Sequence, residues 1–165
     1  MSMVADVSAK SAADANPHEF ARAIALRQLD TRARSRWELE QKLKRKNVPE
    51  DVMSAVLDRL TDVGLIDDRA YAHLYVRSKI ASKKMARMAL RFELRKRGVA
   101  EVHILDALNQ ITDDSEVEMA RMLVAKKLTT LDNVSRDVKY RRLSGLLGRK
   151  GYSHAIIRHV LADLN

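Results

Sequence analysis

Cysteine is absent from this 165-residue chain, which excludes disulfides and thiolate metal sites and is compatible with a reducing cytosol. Only two prolines and five glycines occur, so helix is favoured over a turn-rich sheet architecture. Aromatic residues make up 4% of the chain against 46% hydrophobic residues overall. A core must therefore be built from aliphatic side chains and the seven methionines. No apolar run approaches the roughly 20 residues of a membrane span, and no basic segment followed by an apolar one opens the chain as a secretory signal would. The phosphate-cradling patterns GxxxxGKS/T and GxGxxG are missing. The five histidines are His18, His73, His103, His154 and His159; on a helix the last two lie about 140° apart and do not share a metal. No nucleophile–base constellation is visible, and the chain is expected to be neither an enzyme nor a holder of a cofactor or metal.

What is present is a pattern that occurs three times. Val52, Met53, Val56, Leu57 and Leu60 are followed by His103, Ile104, Ala107, Leu108 and Ile111, then by Ile156, Ile157, Val160, Leu161 and Leu164. The copies start 51 and 53 residues apart. Offsets of i, i+1, i+4, i+5 and i+8 place all five positions on one helical face. The expected fold is all-α, three tandem three-helix repeats forming an elongated, curved array, because about 50 residues bury too little surface to stand alone. His103 reads as a satisfied, half-buried histidine rather than a ligand.

The expected organisation is a disordered tail over 1–16, then repeats over 17–66, 67–112 and 113–165. In the first repeat, Phe20, Ala23, Ile24 and Leu26 mark one helix. Ser35 and Glu38 form a capping box that opens a second, carrying Leu39 and Leu43. Asn47 suits a left-handed turn, Pro49 the first position of the third helix, and Gly64 its end. Leu39, Leu43 and Asn47 map onto Leu90, Leu94 and Gly98, then onto Leu143, Leu147 and Gly151. Asp113 with Glu116 suggests a further capping box, Thr129 to Val134 a loop, and Ser135 a cap. Gly145 and Gly148 read as packing contacts. Asp67-Asp68 reads as helix capping rather than a metal carboxylate pair, and Trp37 as core or inter-repeat packing rather than a base-stacking platform.

The formal net charge is +9, which favours a polyanionic partner. Each repeat carries ten basic residues, while the acidic counts are eight, five and seven. Between Arg77 and Arg97 stand Arg77, Lys79, Lys83, Lys84, Arg87, Arg91, Arg95, Lys96 and Arg97 against one acid, Glu93. Lys84, Arg87, Arg91 and Arg95 fall within an arc of about 80° on a helix. This stripe is the principal candidate binding surface. Lys42, Lys44, Arg45 and Lys46 echo it in the first repeat, and Lys139, Arg141, Arg142, Arg149 and Lys150 in the third. A solvated helix face is the plainer alternative. The third helices open with Glu50-Asp51, Ala100-Glu101 and Ser153-His154, which disfavours a helix-turn-helix that reads bases in the major groove.

Ser35-Arg36-Trp37-Glu38-Leu39 with Leu43, Gly64-Leu65-Ile66-Asp67-Asp68-Arg69-Ala70-Tyr71-Ala72 with Tyr75 and Val76, and Leu90 with Glu93-Leu94-Arg95-Lys96-Arg97-Gly98-Val99 are together similar to the RecX family. Two positions depart from it: Lys83-Lys84-Met85, where the family commonly has a glycine before the second helix, and Asn47, where glycine is usual. The resemblance implies a cytoplasmic bacterial regulator of the RecA recombinase, with a place in homologous recombination, DNA repair and the SOS response. It implies binding in the groove of RecA filaments on single-stranded DNA, and suppression of strand exchange, ATP hydrolysis and co-protease activity. Expected partners are therefore the RecA filament and single-stranded, with double-stranded, DNA; no membrane is expected, and the chain is expected to be a monomer. A general nucleic-acid-binding helical protein and a helical adaptor for an unrelated acidic protein are the alternatives.

Overall fold

Polar side chains at the helix starts and left-handed residues at the helix ends divide the chain into short helices. The computed structural model describes residues 16–164. Among them the regular structure is nine α-helices and a closing 3₁₀ turn, Ala162–Leu164. The helices are α1 Pro17–Thr31, α2 Arg36–Lys44, α3 Glu50–Asp62, α4 Asp68–Lys83, α5 Arg87–Lys96, α6 Glu101–Leu108, α7 Asp113–Leu128, α8 Arg136–Arg149 and α9 His154–Val160. The fold is all-α, with three three-helix repeats.

The starts are chemically explicit. Asn16 accepts a hydrogen bond from Glu19 N (3.2 Å) and so caps α1; the rest of the expected tail, residues 1–15, lies outside the described residues. Ser35 and Glu38 form the expected capping box on α2. Pro49 stands one residue before α3 instead of inside it. Asp67 Oδ1 accepts from Ala70 N (2.9 Å), which caps α4. The box that opens α7 differs from expectation: it pairs Thr112 with Ser115, which frees Asp113 and Glu116 for other partners. Ser135 precedes α8 with no side-chain cap bond. Asn47, Gly64, Gly98 and Gly151 all have positive φ, as the turns require.

The residues fall into two compact bodies. One holds the described residues up to Tyr71 together with Arg97–Ala100; the other holds Ala72–Lys96 together with the described residues from Glu101 onward. In the first, Leu39 and Leu43 of α2 meet Val52, Met53, Val56, Leu57 and Leu60 of α3 in one buried cluster. The helix α1 holds Phe20, Ala23, Ile24 and Leu26 as expected and buries Ala21 and Ala25 fully, with Ala23 exposed. In the second, Leu90 and Leu94, then Leu143 and Leu147, are completely inaccessible, with Ile104, Ala107, Leu108, Ile111, Ile157 and Leu161 around them. His103 is half-buried, as its place in the pattern suggests.

A junction repeated at one register explains why the sequence repeats and the compact bodies have different limits. In the first body, Ser35 Oγ donates to Arg97 O (2.6 Å), and Arg36 N donates to Asp68 Oδ1 (2.8 Å). A Cβ on Gly98 would meet Trp37 within 3.0 Å. In the second body, Ala86 N donates to Lys150 O (2.9 Å), Arg87 N donates to Glu116 Oε1 (2.7 Å), and a Cβ on Gly151 would meet Ala89 within 3.0 Å. In both bodies the start of a second helix is clamped by an acid and a turn glycine belonging to the following repeat.

Candidate nucleic-acid interface

The arginines of α5 are engaged by acids outside the basic run. Arg87 donates through Nε to Glu116 Oε2 (3.0 Å), pairs through Nη2 with the same carboxylate (2.8 Å), and also pairs with Asp113. Glu116 is buried, and with its backbone contact to Arg87 N it holds the start of α5 to α7. Arg91 and Arg95 converge on Glu101 in the first turn of α6, through Nε at 2.6 and 2.8 Å. The Arg95 hydrogen bond, with Arg91 behind it, holds the Glu101 carboxyl below the ordinary carboxylate range. The stripe was expected to be barely neutralised; three of its members are instead internal ion pairs, because the acids come from neighbouring helices.

The other cations of the run have separate fates. Lys79 lies 5.2 Å from the Tyr75 ring centroid and Lys96 5.2 Å from that of Phe92, within cation–π range. Arg77 is exposed on α4. Lys83 O receives Lys150 Nζ (2.7 Å), and Lys84 O receives Tyr152 Oη (2.6 Å). Burial, with Lys83 nearby, pushes the Lys150 ammonium below its ordinary range, and burial raises the Tyr152 phenol. Arg97 is half-buried and its carbonyl is the acceptor for Ser35.

Two open grooves gather the cations that stay available. In the second body, Lys127 of α7 and Arg141, Arg142 and Arg149 of α8 line a depression of ≈ 560 Å³ with Gly145 and Leu146. None of these four cations has an ion-pair partner among the described residues. Gly145 does not pack against another helix; a Cβ there would meet only Arg149 Nη1, and Gly148 faces open space. Gly145 keeps the groove clear, and neither glycine has the packing role expected of it. Lys139 is half-buried on the same helix. Lys127 was missed because it comes from a different helix of the same repeat.

In the first body, Lys42 of α2 and Arg45, which caps its end, line a second depression, of ≈ 480 Å³, with Gln28 of α1 and Arg34 of the connection. Trp37 forms one wall and is 41% exposed, while its inner edge covers Gly98 of the following repeat, so of the two packing roles expected it takes the inter-repeat one and not the core one. Glu38 is neutralised by Arg32 (2.8 Å). Burial alone would raise the Glu38 carboxyl, but Arg32 and the Ser35 N–H hold it below its ordinary range. Lys44 is paired with Glu40 (2.5 Å), and Lys46 is exposed. Among the described residues, no group of three or more His, Asp or Glu is placed to hold a metal ion, and no helix is long and apolar enough to cross a membrane.

Models of the first, second and third three-helix domains of RecX match residues 21–60, 67–108 and 114–161 in that order. The chain belongs to the RecX family. The regulatory protein RecX of Streptomyces coelicolor is 42% identical over 146 residues, covering 88% of this chain and 78% of the relative. That of Mycobacterium avium is 40% identical over 164 residues, covering 98% and 95%. The crystal structure of RecX from Lactobacillus salivarius superposes with a TM-score of 0.78 at 29% identity, over 91% of this chain and 97% of that one. These relatives are named as regulatory proteins, so the coarse function is regulation. One departure from the RecX pattern has a structural counterpart: Lys84, near the position where the family commonly has glycine, has φ +51°. The Tyr152 and Lys150 bonds hold it in a conformation that glycine adopts without strain.

Proposed function

We propose that this RecX-family chain is a non-enzymatic regulator of the RecA recombinase. It binds RecA and RecA–single-stranded DNA filaments in the filament groove and lowers recombinase, ATPase and co-protease activity, in the bacterial cytoplasm. The observation that carries this reading is the match of all three RecX domains, in order, over residues 21–60, 67–108 and 114–161. The α7–α8 groove gives it a physical basis. Four cations without internal acids line it with Gly145 and Leu146, which suits acidic protein surface or DNA phosphate and does little for stability. The α5 arginines are assigned instead to holding the second body together.

The test is a time course of DNA-dependent ATP hydrolysis by RecA with this chain added well below one per recombinase. Inhibition is expected. Arg141→Glu with Arg142→Glu and Arg149→Glu should weaken it at least about tenfold, a loss of ~1.4 kcal/mol in binding, while the helical circular dichroism is retained. No inhibition at equimolar protein would end the proposal. The net charge of +9 favours one other reading, general coating of nucleic acid. Coating predicts inhibition only once the DNA is saturated, with affinity falling steeply as salt rises.

A further inference from the structure

The depression beside Trp37 has chemistry that regulation of a recombinase does not require. We propose that it takes one unstacked nucleotide of a single-stranded nucleic acid, with the base on the Trp37 indole and the phosphate among Arg34, Lys42 and Arg45. Three features converge in ≈ 480 Å³.

The first is a rigid aromatic platform. Trp37 is anchored because its Cβ, Cγ and Cδ1 lie directly over Gly98, where no side chain intervenes, yet 41% of it stays accessible. Every base has a π-face, so such a platform holds bases without regard to sequence. The second is unspent positive charge. Lys42 has no ion-pair partner among the described residues. Arg45 uses only its Nε, on Gln41 O (3.2 Å). Arg34 makes one long contact, Nη2 to Thr31 Oγ1 (3.4 Å), and its Nε is buried without a partner. The one carboxylate in the wall, Glu38, is already matched by Arg32. The third is a pair of amides, Gln28 and Gln41, each able to donate and accept along a base edge.

An acidic peptide would satisfy the cations and leave the indole and amides unused. A nucleotide uses all three. The sequence favoured packing over stacking for Trp37, which lies outside the basic run of α4 and α5; in the fold, cations reach Trp37 from its own helix and from the connection before it. In the second body the counterpart of Arg45, Lys96, lies over Phe92, the counterpart of Gln41.

Trp37 is the only tryptophan in the chain, so its emission reports on this depression alone. The full chain is titrated with an oligothymidylate of about 12 nucleotides and, separately, with thymidine monophosphate. Saturable quenching by the oligonucleotide is expected, with the monophosphate reaching it only at concentrations more than about tenfold higher. Lys42→Glu with Arg45→Glu should weaken the quenching titration roughly tenfold or more. Arg158→Glu, at an exposed cation outside both depressions, should leave the quenching titration unchanged. Trp37→Ala, followed by anisotropy of labelled oligonucleotide, should bind roughly tenfold more weakly. The proposal is overturned if oligonucleotide binding saturates in anisotropy with Trp37 emission unmoved. It is equally overturned if no oligonucleotide binds, if the monophosphate binds as tightly as the strand, or if Lys42→Glu with Arg45→Glu titrates like the parent. None of these readings involves a recombinase, so the strand site and RecA regulation stand or fall separately.

Discussion

Replacing Glu116 by alanine tests whether the α5 cations serve structure or recognition. The carboxylate is buried and receives three donors from one residue, Arg87 N, Nε and Nη2. The backbone bond acts as a helix cap and is worth about 1 kcal/mol. The two guanidinium bonds are charge-assisted, but the Arg87 side chain is 38% exposed and keeps Asp113, so screening reduces them to about 1–2 kcal/mol together. Glu116→Ala should therefore cost about 2–3 kcal/mol, which in a chain of this size lowers Tm by about 5–10 °C. Thermal unfolding followed by circular dichroism measures it. In a double-mutant cycle with Arg87→Ala the losses should overlap by at least about 1 kcal/mol. A Tm change below about 1 °C, or strictly additive losses, would refute the assignment of Arg87 to the internal junction.

Other perturbations follow from the same contacts. Lys84→Gly should raise stability by about 0.5–1 kcal/mol, because it relieves a left-handed lysine that costs ~1–2 kcal/mol, less the added freedom of glycine in the unfolded chain; a chemical denaturation midpoint that falls would contradict this. Gly98→Ala and Gly151→Ala each combine positive φ with a Cβ inside 3.0 Å of Trp37 or Ala89, so each should lose about 2–4 kcal/mol by the same measurement. Glu38 and Glu101 both sit below the ordinary value of 4.5 in the folded chain. Their stabilising effect is therefore present above the unfolded value of 4.5 and is lost as pH falls from there through the lower folded-state value. Tm recorded from about pH 7 down to about pH 3 should drop through this window, and Arg32→Ala or Arg95→Ala should flatten the drop.

Local devices were legible in the sequence; tertiary pairings were not. The Leu39/Leu43, Leu90/Leu94 and Leu143/Leu147 pairs announce themselves by spacing, and all six are buried. Ser35 with Glu38 and the turn residues Asn47, Gly98 and Gly151 are readable because their chemistry spans a few residues. The arginine stripe misled because Arg87 finds its acids 26 and 29 residues away, on α7, and Arg91 finds Glu101 in the next helix. Phe20, Ala23, Ile24 and Leu26 do lie on α1, but the residues it buries fully, Ala21 and Ala25, are small and carry a weak periodic signal. The left-handed Lys84 closes α4, its N–H returning to Ile80 O, but the bonds that Tyr152 and Lys150 make to the carbonyls of Lys84 and Lys83 come from about 68 residues away.

Aligning the three second helices at offsets of 51 and 53 gives the two depressions a common origin. One face reads Trp37, Gln41, Arg45 in α2; Met88, Phe92, Lys96 in α5; and Arg141, Gly145, Arg149 in α8. The first and third triplets line the two depressions, and Met88 and Phe92 are 67% and 61% exposed. Each triplet ends in a cation at the same register. The opposite side of each helix supplies the leucine pair to the core, and its first turn is given to the junction in α2 and α5. The remaining face is the part of each helix that folding leaves open, which is why its residues differ so widely while Leu39, Leu90 and Leu143 do not. Arg91 and Arg95 lie off this face, and their α8 counterparts are Ser144 and Gly148, while the counterpart of their acid Glu101 is His154. The ion pairs of α5 and the open cations of α8 are thus alternative uses of the same scaffold: one repeat spends its arginines on its own third helix, and the other presents them outward.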